Sequence, residues 1–384
     1  MKIALVHDYL TQRGGAERVF ELLCDYFPQA DVFTSVYDKD NTIDLKNRKV
    51  NTTFLQYLPG SNKYFRLLAP LYYSAFRSLD LRDYDLVISS TSSFAKAVRT
   101  RESAKHICFC HNVTRFLWDT QTYLQQYSAY RKYDFLIERI FSLMRKTDLK
   151  YVGEPDLYIA NSTTVAKRIK QYYNREALTV NYPIDSEKFY YSDNKDDFYL
   201  VACRLFGYKK VSVIIEAFNQ LKLPLSIIGD GPERKNLEAQ ANDNIQFLGY
   251  VSDRQRKELM AKARTVVVAA LEDYGLVPVE ANASGTPVIS YGAGGVLDTQ
   301  VSGKTGVFFD SQTAEDLKQA ILAAEKIKWD SSQIRHHAIS NFSEVVFFQK
   351  ITEIIESACD RSISDSIEPK LLAKIEQMSQ AKLN

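Results

Sequence analysis

The sequence predicts an α/β protein built from two doubly wound parallel sheets, and three observations predict it. Short apolar runs alternate with helix-forming stretches along the chain, the alternation is interrupted once near Pro183, and glycine-rich loops recur where strands should end. At 384 residues, 45% of them apolar and 25% charged, there is material for two ordinary domains with separate cores.

The first unit opens with KIALVHD, a strand that runs through His7 and Asp8 to a loop bearing Gly14 and Gly15. Those glycines let backbone approach a ligand closely before the helix GGAERVFELLCDYF starts. DVFTSV, DLVISS, HICFCH and DLYIAN read as further strands, with a long helical segment from about 120 to 148 before the last. After NYPIDSEKF a second series follows: FYLVAC, LPLSIIGD, NIQFLG, RTVVVAAL, TPVISY and TGVFF, interleaved with KKVSVIIEAF, ERKNLEAQA, RQRKELMAKA and an acidic helix after EDYG. The expected division is 1–182 for an amino-terminal Rossmann-like domain and 183–342 for a second Rossmann-like domain. Residues 343–384 add a helix packing back on the first domain and a polar tail. Ligand loops lie at carboxyl strand ends in such sheets, so the two sets are expected to face each other across one cleft.

Bulk properties exclude several classes. No run approaches the roughly 18 to 20 apolar residues of a membrane span, and MKIALVHDYL enters a strand with no signal-peptide pattern, so a cytoplasmic protein is expected. Cys24, Cys108, Cys110, Cys203 and Cys359 are odd in number and lack zinc-ligand spacing, which suggests core thiols rather than disulfides or a metal site. Residues 61–150 carry a net +7 against +2 for the whole chain, leaving −5 elsewhere. Within 61–82, Lys63, Arg66, Arg77 and Arg82 are mixed with Tyr64, Phe65, Leu67, Leu71, Tyr72 and Phe76, which suits a segment lying on anionic lipid at the inner face of the plasma membrane. The same composition suits a helix packed on its own domain. No nucleic-acid partner is expected.

Candidate chemistry concentrates in EDYGLVPVEA. A helix beginning near Gly275 aims its first backbone amides, with its dipole, at whatever lies beyond the preceding strand, which makes a site for phosphate. Glu272 would stand above the strand tip and Glu280 about one turn into the helix, where they read as a sugar and ribose clamp on either side of a diphosphate, or as two solvated acids on a capped surface helix. Arg204 ends FYLVAC and Lys209 stands five residues on, so both cations can meet one diphosphate. GDGPE, with Gly231, and YGAGG, with Gly292, Gly294 and Gly295, follow other strands, yet neither the dinucleotide fingerprint GxGxxG nor the P-loop GxxxxGK[ST] is present. His111 closes HICFC and is expected to point into the groove, as a substrate-binding group or as a packed residue. The aromatics after it, Phe116, Trp118, Tyr123, Tyr127, Tyr130 and Tyr133, suit a sugar or lipid acceptor and equally suit packing. Asp83-Tyr84-Asp85 imitates a metal-binding Asp-x-Asp but reads as a strand lead-in, and no GxSxG elbow occurs.

Together, EDYGLVPVE, Arg204 with Lys209, GDGP, the amino-terminal GG loop and GGVLDTQVSGKTG resemble family 4 of the retaining glycosyltransferases, which have the GT-B fold. The resemblance covers nearly the whole chain and is strongest over 200–310. HNVTRFLWD is similar to the groove loop of bacterial members that build surface glycans, several of them mannosyltransferases. The resemblance implies that Arg204 and Lys209 bind the donor diphosphate with the amides of Gly275 and Leu276, that Glu280 binds the nucleotide ribose, and that Glu272 binds the transferred sugar. It places Gly14 and Gly15 near the donor phosphate and acceptor, and His111 on the reacting sugar. Gly231 joins the donor-binding set. Two departures stand out: Asp298 occupies a position where Glu is frequent, and Lys210 one where Gly is frequent.

The implied reaction moves a hexose, first mannose from GDP-mannose, to a glycan or lipid-linked glycan without metal or other cofactor. Alternatives are a nucleotide-sugar epimerase of the same fold and a non-catalytic glycan-assembly scaffold. Against the scaffold stands the retention of all four charged donor residues.

Overall fold

The computed structural model describes residues 1–120, 134–185 and 188–359, so Tyr123, Tyr127, Tyr130, Tyr133 and the polar tail from 360 onward lie outside the described residues. The chain divides into two compact units, Met1–Val180 with the chain from Phe348, and Asn181–Phe347.

The first unit holds a seven-stranded sheet, ordered β3-β2-β1-β4-β5-β6-β7, in which every adjacent pair is parallel. The strands are β1 Ile3–His7, β2 Asp31–Thr34, β3 Val50–Thr52, β4 Leu86–Thr91, β5 Lys105–Cys110, β6 Leu157–Ala160 and β7 Ala177–Thr179. β1 and β4 are buried along their whole length because helices cover both sheet faces, which is why their sequences are continuous rather than alternating. β3 and β7 are three-residue edge strands, half-buried or exposed, that carry no apolar run, and sequence reading passed over both.

The 61–82 segment does two things. Pro70 and Gly60 break it into a four-residue α-helix at Ser61–Tyr64, a 3-10 stretch at Phe65–Leu71 and an α-helix at Tyr72–Arg77. Phe65, Tyr72, Tyr73 and Phe76 enter the core, where Tyr72 stacks on Phe94 at 4.6 Å, while Tyr64, Leu67 and Leu71 face outward. Beneath them a buried Lys96–Asp148 pair at 2.5 Å takes hydrogen bonds from Tyr73 Oη and Trp118 Nε1, both at 2.7 Å. Every charge in that pocket is thus partnered, as burial requires. The Glu344–Ala358 helix reaches this unit through Phe348, stacked on Tyr26 at 3.8 Å, and Thr352, bonded to the Tyr26 hydroxyl at 2.9 Å.

The second unit has six parallel strands ordered β10-β9-β8-β11-β12-β13. They are β8 Tyr199–Ala202, β9 Leu225–Ile228, β10 Ile245–Gly249, β11 Thr265–Val268, β12 Val288–Tyr291 and β13 Gly306–Phe309. Ile214, Phe218, Leu317 and Ile321, from helices Val211–Leu221 and Ala314–Ala324, fill one core. Met260 and Ala281, from helices Asp253–Lys262 and Leu276–Ala283, fill a second with Leu200, Val266 and Val288. Both sheets share one winding: the chain works outward from the central strand, returns, and proceeds the other way. The reversal falls between β1 and β4 in one unit and between β8 and β11 in the other, which is where doubly wound sheets open a crevice.

Candidate active site

At the β8–β11 reversal the two chains leave the sheet in opposite directions and frame a pocket of about 200 Å³ lined by Ala202, Cys203, Arg204, Lys209, Glu272 and Val277, among others. Val277 belongs to the first turn of the Leu276–Ala283 helix, which starts at Gly275 (φ +95°) with no side-chain cap. Its amino end therefore has amides to offer an anion.

Lys209 and Glu272 are ion-paired across the pocket at 2.6 Å, with side chains 15% and 22% exposed. Burial by itself would lower the lysine's pKa, but the carboxylate's charge and hydrogen bond outweigh it and hold the pKa above the usual value. The Arg204 guanidinium bonds the Tyr208 hydroxyl at 3.3 Å and lies 5.5 Å from the Phe206 ring centroid. Lys210 has φ +55°, a left-handed conformation that glycine adopts without strain.

Two glycine loops hold these groups in place. Gly229 and Gly231 let the GDG loop lie against the chain carrying Arg204: a Cβ at 229 would meet the Cys203 carbonyl at 1.9 Å, and one at 231 the Leu205 carbonyl at 2.4 Å. Leu205 N–H donates to the Asp230 carbonyl at 2.9 Å and Glu233 N–H to the Leu205 carbonyl at 3.1 Å. Gly231 is thus a packing glycine behind the arginine. On the other side Gly294 pairs with Glu272, and Gly295 N–H donates to the Glu272 carbonyl at 2.8 Å.

Glu280 sits on the buried side of its helix, 5% exposed, with Oε2 2.6 Å from an Arg256 guanidinium nitrogen. Arg256 also reaches Asp253 at 3.1 Å. Sequence reading treated RQRKELMAKA as an ordinary helix and missed Arg256, since nothing in linear spacing ties it to a residue 24 positions away.

His111, Gly14 and Gly15 belong to the first unit, at its own reversal point. His111 is 4% exposed, and its Nε2 lies 2.7 Å from Ser90 Oγ on β4; His7 Nδ1, at the end of β1, lies 3.0 Å from the same oxygen. Burial, with His7 nearby, pushes His111 down to about 3, so its ring is neutral near pH 7. Glu17 approaches His7 Nε2 at 3.9 Å and accepts from Gln12 at 2.9 Å; burial raises its pKa, but His7 and Gln12 together bring it below the ordinary value. Gly14 makes room for that carboxylate, since a Cβ there would lie 2.7 Å from Glu17 Oε2, and Gly15 begins the helix Gly15–Tyr26. His7, Ser90 and Glu17 were not singled out from sequence; the usable signal is that β1 and β4 end in polar residues and that His111 directly follows β5.

Asp85 of the Asp83-Tyr84-Asp85 triplet accepts from the Lys2 amide at 2.7 Å, immediately before β4. Among the described residues no three His, Cys, Asp or Glu side chains are grouped to hold a metal ion. Among the described residues no two cysteines are joined in a disulfide, and burial pushes Cys203, beside the pocket, up to about 11.

Comparison with known proteins matches residues 13–185 to Glycosyltransferase Family 4 and residues 185–342 to Glycosyl transferases group 1. An uncharacterised glycosyltransferase of Methanocaldococcus jannaschii is 26% identical over 172 residues, covering 44% of this chain and 49% of that protein. The lipopolysaccharide core biosynthesis glycosyltransferase LpsE of Rhizobium meliloti is 29% identical over 203 residues, covering 48% of this chain and 58% of its own. The chain thus spans about half the length of these two curated relatives. Anabaena HepE, solved with UDP and glucose, superposes with a TM-score of 0.66 at 20% identity, covering 93% of this chain and all of that one. With both halves matched and two reversing parallel sheets of the same winding, the chain belongs to the group 1, family 4 glycosyltransferases of GT-B fold.

Proposed function

We propose that the protein is a retaining hexosyltransferase that moves a sugar from a nucleoside-diphosphate sugar to a glycan or lipid-linked glycan in surface-polysaccharide synthesis, with GDP-mannose the first donor to test. The observation that carries this is the grouping of Arg204, Lys209, Glu272 and the 276–283 helix start around one pocket at the β8–β11 reversal. Two cations and a helix amino end suit a diphosphate, and a carboxylate beside them suits a sugar hydroxyl. Glu280 takes the ribose hydroxyls, sharing its carboxylate with Arg256. Relatives point the same way: LpsE is named for lipopolysaccharide core biosynthesis, and HepE was solved with UDP and glucose, which makes UDP-glucose the second donor to test.

In the proposed step the acceptor oxygen bonds the anomeric carbon on the face from which the diphosphate leaves. The carbon–oxygen bond to phosphate breaks, and the acceptor proton passes to the departing phosphate oxygen. The charge developing there is met by Arg204, Lys209 and the amides of Gly275 and Leu276, the kind of preorganised contact worth roughly 3 kcal/mol for each donor. No metal is assigned a role. His111 meets the reacting sugar, and the Gly14–Gly15 loop meets donor phosphate and acceptor. Exposed Tyr64 and Leu67 beside Lys63 and Arg66 support contact between 61–82 and the inner face of the plasma membrane. Among the described residues no helix is long and apolar enough to cross a membrane.

A thermal-shift screen against GDP, UDP, dTDP and ADP, followed by transfer assays with the matching sugar nucleotide, tests the reading. Arg204→Ala and Lys209→Ala should each lower kcat/KM by roughly 100-fold while shifting Tm by no more than about 4 °C. Full activity in both variants would remove the donor-site assignment, and an epimerised product from donor alone would replace transfer with epimerisation.

A further inference from the structure

The first unit buries an ion pair that the proposed chemistry does not use. Lys96 lies in the 3-10 turn Ala95–Ala97 after β4 and Asp148 near the end of the helix Asp134–Lys150, and both side chains are shut off from water. Asp148 Oδ1 accepts from Lys96 Nζ at 2.5 Å and from the Tyr73 hydroxyl at 2.7 Å, while Oδ2 accepts from Trp118 Nε1 at 2.7 Å. Burial above all raises the Tyr73 pKa well beyond its usual value, so that hydroxyl stays a donor. Lys96 Nζ also donates to the Ser93 carbonyl and faces the rings of Tyr73 and Tyr173, 5.8 and 5.2 Å away. Burial works against the charge on Lys96, but the Asp148 carboxylate outweighs it and holds the pKa above the usual value.

Two neighbours of this pair belong to the stretch of chain that directly follows His111. Trp118 ends the short helix Arg115–Trp118, and Thr114 stands at its N-cap without capping it. Thr114 Oγ1 is turned toward the pair instead, 3.3 Å from the Ser93 carbonyl and 3.4 Å from Asp148 Oδ1, and the Thr114 amide donates to the Tyr173 hydroxyl at 3.3 Å. The surroundings are apolar: Phe94, Leu117 and Met144 belong to one core cluster, Cys110, Val113 and Val152 to another, and Trp118 packs against both. In such a place an ion pair adds little stability, because the hydration lost by both ions cancels most of their attraction, and apolar side chains of like volume fill the space as well. What apolar side chains do not supply is direction. A carboxylate bonded through both oxygens fixes where the indole and the threonine must stand, and so fixes the path of the chain between them.

We infer that Lys96 and Asp148 are positioning residues that hold the 112–118 loop in a single geometry through Trp118 and Thr114, so that the chain leaving His111 meets the acceptor already ordered. The inference rests on the proposed transferase reading for its effect on turnover, but the geometry of the loop can be followed without any substrate. The buried pair is thereby given a role that packing alone does not fill.

Removing one partner alone strands the other charge in the core, so the test replaces both, as Lys96→Met with Asp148→Leu in the full chain. Tm should stay within about 4 °C of wild type. The chain has two tryptophans, so ¹⁵N-indole spectra give two signals, and Trp329 of the second unit, bonded to the Ala324 carbonyl at 3.2 Å, is the internal reference. The Trp118 signal should move and its indole hydrogen should exchange with deuterium about ten-fold faster than in wild type, while Trp329 stays as it was. Affinities for GDP and UDP, measured by calorimetry, should match wild type. Nucleoside diphosphate release from GDP-mannose or UDP-glucose, in the presence of lipid-linked glycan, should fall roughly 100-fold in kcat. A larger fall in Tm, or weakened nucleotide binding, would make the pair a support of the fold and overturn the inference. So would an unmoved Trp118 signal, or an unchanged kcat in a variant whose Trp118 signal had moved. Absence of any sugar transfer by wild type would instead overturn the transferase reading, and the indole spectra would still report whether the pair orders the loop.

Discussion

Lys209 and Glu272 neutralise each other at 2.6 Å, so a diphosphate entering the pocket must compete with a carboxylate for the same ammonium. The pair is partly exposed, which limits its worth to about 1 kcal/mol. Glu272→Gln therefore has two opposite effects: a free nucleoside diphosphate should bind several-fold more tightly by calorimetry, because Lys209 is released, while transfer falls because a charged acceptor for the sugar hydroxyl is gone. Weaker nucleotide binding in Glu272→Gln would mean that the carboxylate holds Lys209 in position rather than occupying it. At this scale the sequence was readable only where partners are close in the chain. Arg204 with Lys209, and Glu272 with Glu280, could be grouped by spacing and helical period. Arg256 on Glu280, and Ser90 between His7 and His111, join residues from separate elements, and no period connects them.

Among elements, the buried strands were legible because covering both faces of a sheet demands continuous apolar runs, and β3 and β7 were not because short edge strands make no such demand. The glycine loops were legible as loops, but their work was not. YGAGG read as a glycine loop after a strand; in the structure Gly294 and Gly295 press against the backbone of Glu272 and Asp273. A side chain at 294 faces two obstacles, a φ of +82° and the Glu272 carbonyl 2.3 Å from the new Cβ, whereas Gly303 has φ +74° and nothing within 4 Å. Gly303→Ala thus meets only the backbone cost, about 1 kcal/mol, and Gly294→Ala should lose roughly 2 kcal/mol more and weaken nucleotide binding as Glu272 is displaced. Denaturant midpoints for both variants measure the difference. Equal losses would show that the loop yields to the side chain and does not fix the acid.

For the molecule as a whole, the relevant quantity is where charge and exposed apolar surface coincide. The chain's net +2 combines +7 over residues 61–150 with −5 elsewhere, and the basic stretch begins where Tyr57, Tyr64, Leu67 and Leu71 are 82%, 51%, 73% and 43% exposed. The core has taken the other aromatics of this segment, so those left outside are not needed to hold the fold. Each Lys or Arg near an anionic surface contributes about 1 kcal/mol, screened by salt, and a few inserted apolar side chains add to it, which makes binding reversible rather than anchored. Flotation of the full chain with phosphatidylglycerol vesicles should bring the protein up with lipid at low salt and release it at high salt, whereas phosphatidylcholine vesicles should leave it behind. Leu67→Asp should reduce flotation several-fold with Tm unchanged, because that side chain is mostly in water already. Equal recovery with both lipids, or recovery indifferent to salt and to Leu67→Asp, would mean that the basic aromatic segment meets something other than a charged bilayer.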